Sequence, residues 1–167
     1  MAAKAIKHPS VAVQRLKVTA DKSLIGDAVR IIISTIFFHR MLGTIVPQTR
    51  ELLEVTYASP VSKELEQAVE DKIANLMKAL GSHSGATISI RFFEQQSKKA
   101  WFNWASDECW EEWVIECQVS NGSLVTIQKD LQESIFKIIQ VVDRQRDHIP
   151  LITSKEAISF PYEIQVS

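Results

Sequence analysis

The stretch "AVRIIISTIFF", Ala28 to Phe38, constrains this chain more than any other. It lies inside a helical pattern running to about Met41 and stopping at Gly43. The apolar residues of that pattern are Leu24, Ile25, Ala28, Val29, Ile31, Ile32, Ile33, Ile36, Phe37, Phe38 and Met41. They cover most of the circumference, and a helix apolar nearly all round is enclosed on several sides. The enclosure is not lipid, because the run is about eleven residues where roughly 20 are needed to span a bilayer. This helix is therefore expected at the centre of a protein fold, capped by Asp21 or Ser23.

Around it the periodicity alternates between 2 and 3.6. Strands are expected at Val11–Ala20, Leu52–Ala58, Thr87–Glu94, Trp110–Ser120 and Ile158–Val166. A second helix starts at Ser59-Pro60, with the serine as cap and the proline at the first helical position, and ends at Gly81. A third spans Ser123 to Arg146, with Ile127, Leu131, Ile135, Ile138, Ile139 and Val142 as its buried stripe. The strands alternate cleanly, whereas strands buried on both faces would be continuously apolar. The expected class is α+β: a mostly antiparallel sheet with three helices packed on one face. At 167 residues a single domain over 1–167 is expected, with 1–10 a candidate flexible lead.

The chemistry read from the sequence is sparse. A net charge of −1 sets up no field for nucleic acid or an acidic membrane. Two cysteines without CxxC spacing fit a reduced, cytoplasmic setting, and "MAAKAIKHPS" lacks the apolar run of a signal peptide. His8, His39, His83 and His148 are scattered, so no metal and no cofactor is expected. Cys109 follows Asp107 and Glu108, which oppose a thiolate. Glu111, Glu112 and Glu116 read as a solvated strand face. With no nucleophile motif and no glycine-rich phosphate loop, the chain is not expected to be an enzyme.

One stretch stands apart. The four tryptophans, Trp101, Trp104, Trp110 and Trp113, fall within thirteen positions. Trp110 and Trp113 open a strand and are expected in the core. Trp101, Phe102 and Trp104 lie on the connection before it, a candidate hairpin tip. Together they could expose roughly 400 Å², comparable to the largest apolar patch of a typical monomer. Tryptophan is enriched in binding hot spots, so the tip is a candidate partner anchor.

The residues carry a resemblance. "SIRFFEQQSKK", the aromatic tip, "SDECWEEW", "FFHRMLG" and "KIIQVVDRQRDHIP" together resemble the autophagy-related protein 101 family. The resemblance implies the HORMA fold, in an open form without a wrap-around C-terminal belt, since only about twenty residues follow the third helix. It implies a non-catalytic scaffold of the autophagy-initiation kinase complex, cytoplasmic and recruited to the phagophore assembly site. It implies a heterodimer with the HORMA domain of autophagy-related protein 13. It implies a Trp/Phe finger that recruits downstream factors, for which Trp101, Phe102 and Trp104 are the candidate rings. By analogy with related pairs, the dimer interface is expected on the third helix at Gln128, Gln132, Phe136, Gln140 and Arg144. The alternatives are a HORMA adaptor of another pathway, a thiol-dependent enzyme using Cys109, and peripheral membrane contact through the finger.

Overall fold

A computed structural model of the chain describes residues 10–41, 45–94, 108–151 and 160–167. Its elements are β1 (Ala12–Ala20), α1 (Ile25–Arg40), β2 (Pro47–Leu52), β3 (Val55–Pro60), α2 (Lys63–Ser82), β4 (Gly85–Phe93), β5 (Cys109–Val119), α3 (Leu124–Arg144) and β6 (Tyr162–Val166). Four strands form a sheet in the order β1-β5-β4-β6, and β2 and β3 form a separate hairpin. The class is α+β, as expected. Within the sheet β5-β4 and β4-β6 are antiparallel, while β1 runs parallel to β5.

The apolar helix sits where its composition requires. Ile25, Ala28, Val29, Ile31, Ile32, Ile33, Ile36 and Phe37 are all fully buried. α1 touches α2, α3, β1, β2, β3 and β5. Two residues on this helix break the apolar pattern inside the core: Thr35, 1% exposed, whose hydroxyl donates to Ile31 carbonyl oxygen at 2.8 Å, and Arg40, in the last turn, 2% exposed. The start of α1 differs from expectation. Leu24 is the N-cap and makes no side-chain cap bond. Asp21 Oδ1 instead accepts from the Ser23 backbone N–H at 2.8 Å and from its hydroxyl at 2.7 Å. These bonds hold its carboxyl below the usual range. Asp21 thus stabilises the turn that leads into the helix.

The inner sheet face carries Leu16, Val18, Ile88, Ile90, Phe92, Trp113, Ile115, Cys117 and Ile164, all buried. The outer face is polar, with cross-strand ion pairs Arg91–Glu112 at 3.2 Å and Arg15–Glu116 at 3.6 Å. Helices on the inner side and charges on the outer side follow from the period-2 alternation.

Two expectations shift in the middle of the chain. The single strand expected over Leu52–Ala58 is a hairpin, folded at Leu53-Glu54, whose φ values are +52° and +57°. Positive φ at both central residues is the two-residue turn that matches strand twist, usually built with Asn-Gly. Leucine and glutamate hid it. The prolines Pro47 and Pro60 face each other at the hairpin's open end, where a missing N–H donor is tolerated. Pro60 therefore ends β3 and does not start a helix. Ser62 caps α2 in its place, its hydroxyl accepting from Leu65 N–H at 3.2 Å. α2 buries Leu65, Val69, Ile73, Leu76 and Leu80. Arg30 ties it to α1 through Glu70, at 2.6 and 2.8 Å. Among the described residues, no helix is long and apolar enough to cross a membrane.

Candidate interaction surface and the charge beneath it

The aromatic tip lies between β4 and β5. Trp101, Phe102 and Trp104 fall outside the described residues. Its roots are described. β4 and β5 are antiparallel neighbours with a register shift between Phe92 and Phe93, and Glu94 N–H donates to Glu108 carbonyl oxygen at 2.9 Å. Trp110 and Trp113 are buried, at 6% and 0% exposure, as expected. The Trp110 ring meets Phe92, His148 and Phe160 at 5.7, 5.6 and 4.9 Å. Its indole N–H is buried without a hydrogen-bond acceptor.

Between the two indoles lies Glu111, which overturns one expectation. It is 0% exposed and not part of a solvated strand face. Arg40 forks onto it, Nε to Oε2 and Nη2 to Oε1, both at 2.8 Å. Trp113 Nε1 donates to Oε2 at 2.8 Å, and His148 Nε2 lies 2.9 Å from Oε1. Bidentate pairing supplies both charge and direction. The signal was present in the sequence. Glu111 is in phase with Trp113, Ile115 and Cys117, the inward series, and Arg40 closes a helix that has no fully exposed residue. The three segments "FFHRMLG", "SDECWEEW" and "KIIQVVDRQRDHIP" supply Arg40, Glu111 and His148 respectively, so they converge on one cluster.

α3 has two faces of different kinds. Ile127, Leu131, Ile138 and Val142 are buried against the body. Away from it, Val125 is 73%, Phe136 62%, Ile139 42% and Leu124 40% exposed. Ile139 was expected in the buried stripe. It lies about 100° round the helix from Ile138, beyond what the body covers. Val125 and Ile139 are the surface residues that sequence reasoning missed. Their spacing from Phe136, eleven back and three on, places them on one helical stripe. Of the residues expected at an interface, Gln132, Phe136 and Arg144 are exposed, and Gln128 and Gln140 are half-buried. Gln128 is engaged within the chain: its Nε2 donates to Leu53 carbonyl oxygen at 3.1 Å and to Glu54 Oε2 at 2.9 Å. It braces the turn with positive φ. From α3 itself, Lys137 Nζ donates to Arg15 carbonyl oxygen at 3.1 Å on β1, an edge strand of the described sheet.

The thiols have no activating environment. Burial, then the Glu112 charge, pushes the half-exposed Cys109 thiol up. Burial alone pushes Cys117 up to about 12. A thiol-dependent reaction at Cys109 therefore lacks the depressed pKa it needs. Among the described residues, no group of three or more His, Cys, Asp or Glu is placed to hold a metal ion.

All three segments fall within the stretch that one family model matches. The family model described as autophagy-related protein 101 matches residues 17–156. Proteins of that name resemble this chain across most of both lengths. The one from Arabidopsis thaliana is 30% identical over 173 residues, 85% of this chain and 80% of the relative. The one from Schizosaccharomyces pombe is 24% identical over 144 residues, 83% and 78% respectively. The one from Homo sapiens is 22% identical over 173 residues, 86% and 77%. With all three helices and strands β2 to β5 inside the match, and 30% identity to a relative over most of both chains, this chain belongs to the autophagy-related protein 101 family.

Proposed function

We propose that this protein is a non-catalytic scaffold of autophagy initiation. It has the HORMA fold in an open form and pairs through α3 with the HORMA domain of autophagy-related protein 13. It presents Trp101, Phe102 and Trp104 as the finger that recruits downstream factors at the phagophore assembly site. The observation that carries the reading is the outer face of α3. Phe136 stands 62% exposed in mid-helix, with Val125 and Ile139 on the same stripe. A large ring left in water beside the exposed Ile139, with Val125 further along the same stripe, gains by being covered, and covering a ring contributes about 1.5–3 kcal/mol. Gln132 and Arg144 border the stripe and supply the polar rim that interfaces carry. Gln128 contributes by bracing the hairpin and lies at the edge of the surface. The seating of β6 on β4, from Ile88↔Val166 to Phe92↔Tyr162, supports the open form, because the terminal strand is already paired within the sheet.

The test is size-exclusion chromatography with light scattering, alone and with the candidate partner, followed by calorimetric titration. A one-to-one complex is expected. Phe136→Asp should weaken it by roughly 10–100-fold, the equivalent of about 1.4–2.8 kcal/mol. A Trp101→Ala, Phe102→Ala variant should leave this complex intact and lose the downstream factors. No complex, or a complex indifferent to Phe136→Asp, would remove α3 from the proposal.

A further inference from the structure

Glu111 accepts from four donors, and their origins differ. Both Arg40 bonds come from α1, and the Trp113 bond comes from β5 itself. These elements form the packed body. The fourth partner, His148 at 2.9 Å, stands on the strap Arg146–Leu151 that follows α3. A carboxylate has about four lone-pair sites, so this arrangement fills them.

The partners also differ in what their loss would do. Without Arg40 the buried carboxylate would be left without a compensating charge, a strongly unfavourable state. Without His148 the same carboxylate keeps a guanidinium fork and an indole N–H. His148 is also the outermost member, its side chain 18% exposed against 2% for Arg40 and 0% for Glu111. The rest of the strap holds mainly to itself and to α3. Arg146 turns back to Asp143 at 2.6 Å, and Ile149 N–H donates to Arg146 carbonyl oxygen at 3.1 Å. Ile149 adds partial packing against the core. The His148 ring also lies 5.6 Å from that of Trp110, whose buried N–H has no acceptor among the described residues. A buried donor without an acceptor is a penalty that water relieves on opening, so opening at this point costs less than it would elsewhere.

We infer that His148 is a releasable latch: the strap Arg146–Leu151 disengages from β5 as a local unit while α1, β5 and the sheet stay folded. Such sub-global openings draw on regions held by few contacts. The latch lies between the last turn of α3, where Arg40 Nη2 reaches Gln145 carbonyl oxygen at 3.3 Å, and Phe160 just before β6. It thus sets the course of the chain as it leaves α3. This inference does not depend on which partner α3 takes.

Hydrogen–deuterium exchange on the full chain tests it, with three variants. His148→Phe keeps a ring against Trp110 and removes the bond. Amides of Gln145–Ile149 should exchange at least tenfold faster, β5 amides should be unchanged, and the melting temperature should stay within about 3 °C of the parent. His148→Gln, which retains an N–H donor, should restore most of the protection. Arg40→Leu should accelerate exchange throughout the body or prevent folding. The latch is refuted if His148→Phe leaves strap exchange unchanged, or accelerates β5 as much as the strap. It is equally refuted if His148→Gln exchanges as fast as His148→Phe.

Discussion

The interior around Glu111 and the outer face of α3 are opposites. One places a charge where apolar groups belong, and the other places a phenyl ring where polar groups belong. The interior is resolved within the chain. Arg40, Trp113 and His148 meet every demand of the carboxylate at 2.8–2.9 Å. The α3 face is not, since Phe136, Val125 and Ile139 remain exposed among the described residues. A polar group satisfied inside a core reports on folding. An apolar group left outside reports on association.

The largest expected effect breaks the interior. Arg40→Leu should lower stability by about 3–5 kcal/mol, because it leaves an uncompensated buried charge. Equilibrium urea denaturation measures it. The double variant Arg40→Leu, Glu111→Leu should recover a good part of that loss, since removing both charges of a buried pair is often close to neutral. A double variant as unstable as the sum of the singles would mean the pair is not the unit described here.

Next is the surface. Phe136→Asp should leave the melting temperature of the isolated protein unchanged within about 2 °C, which differential scanning calorimetry checks, while partner binding falls as stated above. A large drop in melting temperature would show that the ring supports its own fold.

A smaller effect separates two neighbours on one helical row. Gln128→Ala removes two hydrogen bonds to the strained β2–β3 turn and should cost about 1 kcal/mol. Gln132→Ala, one turn on and exposed, should stay within about 0.5 kcal/mol. Equal values in denaturant titrations would contradict the brace.

The smallest effect is a pH dependence. Burial, then the neighbouring Arg40 charge, lowers the pKa of His39 from its ordinary 6.5. Protonation therefore favours the unfolded chain. Stability from this residue is intact above the ordinary value and is lost as pH falls from there through the lower folded value. His39→Asn should narrow the gap between denaturation midpoints measured at pH 7.5 and 5.5, and an unchanged gap would exclude His39 as the source.

Much of the fold was legible. α1, α2, α3, β1, β4 and β5 lie within a few residues of their expected positions, because each exposes its period directly. The β2–β3 hairpin was not, because Leu53 and Glu54 take positive φ without the glycine or asparagine that signals it. Of the site, Phe136 was legible as a ring off the buried stripe. Ile139 was misjudged because exposure at a stripe's edge depends on what the neighbouring elements cover. The finger residues Trp101, Phe102 and Trp104 lie outside the described residues.

By itself the sequence determined which residues leave water. The all-apolar circumference of α1 required a central helix, and the alternation in β4 and β5 required one wet and one dry face. Those are consequences of local geometry, 3.6 and 2 residues per repeat, acting on side chains that do or do not tolerate burial. Only the tertiary structure decided that β1 runs parallel to β5, that Arg40 finds Glu111 71 positions away, and that Phe136 stays exposed among the described residues. Partners so far apart in the chain are chosen by how the layers close around the core, and no local period records that choice.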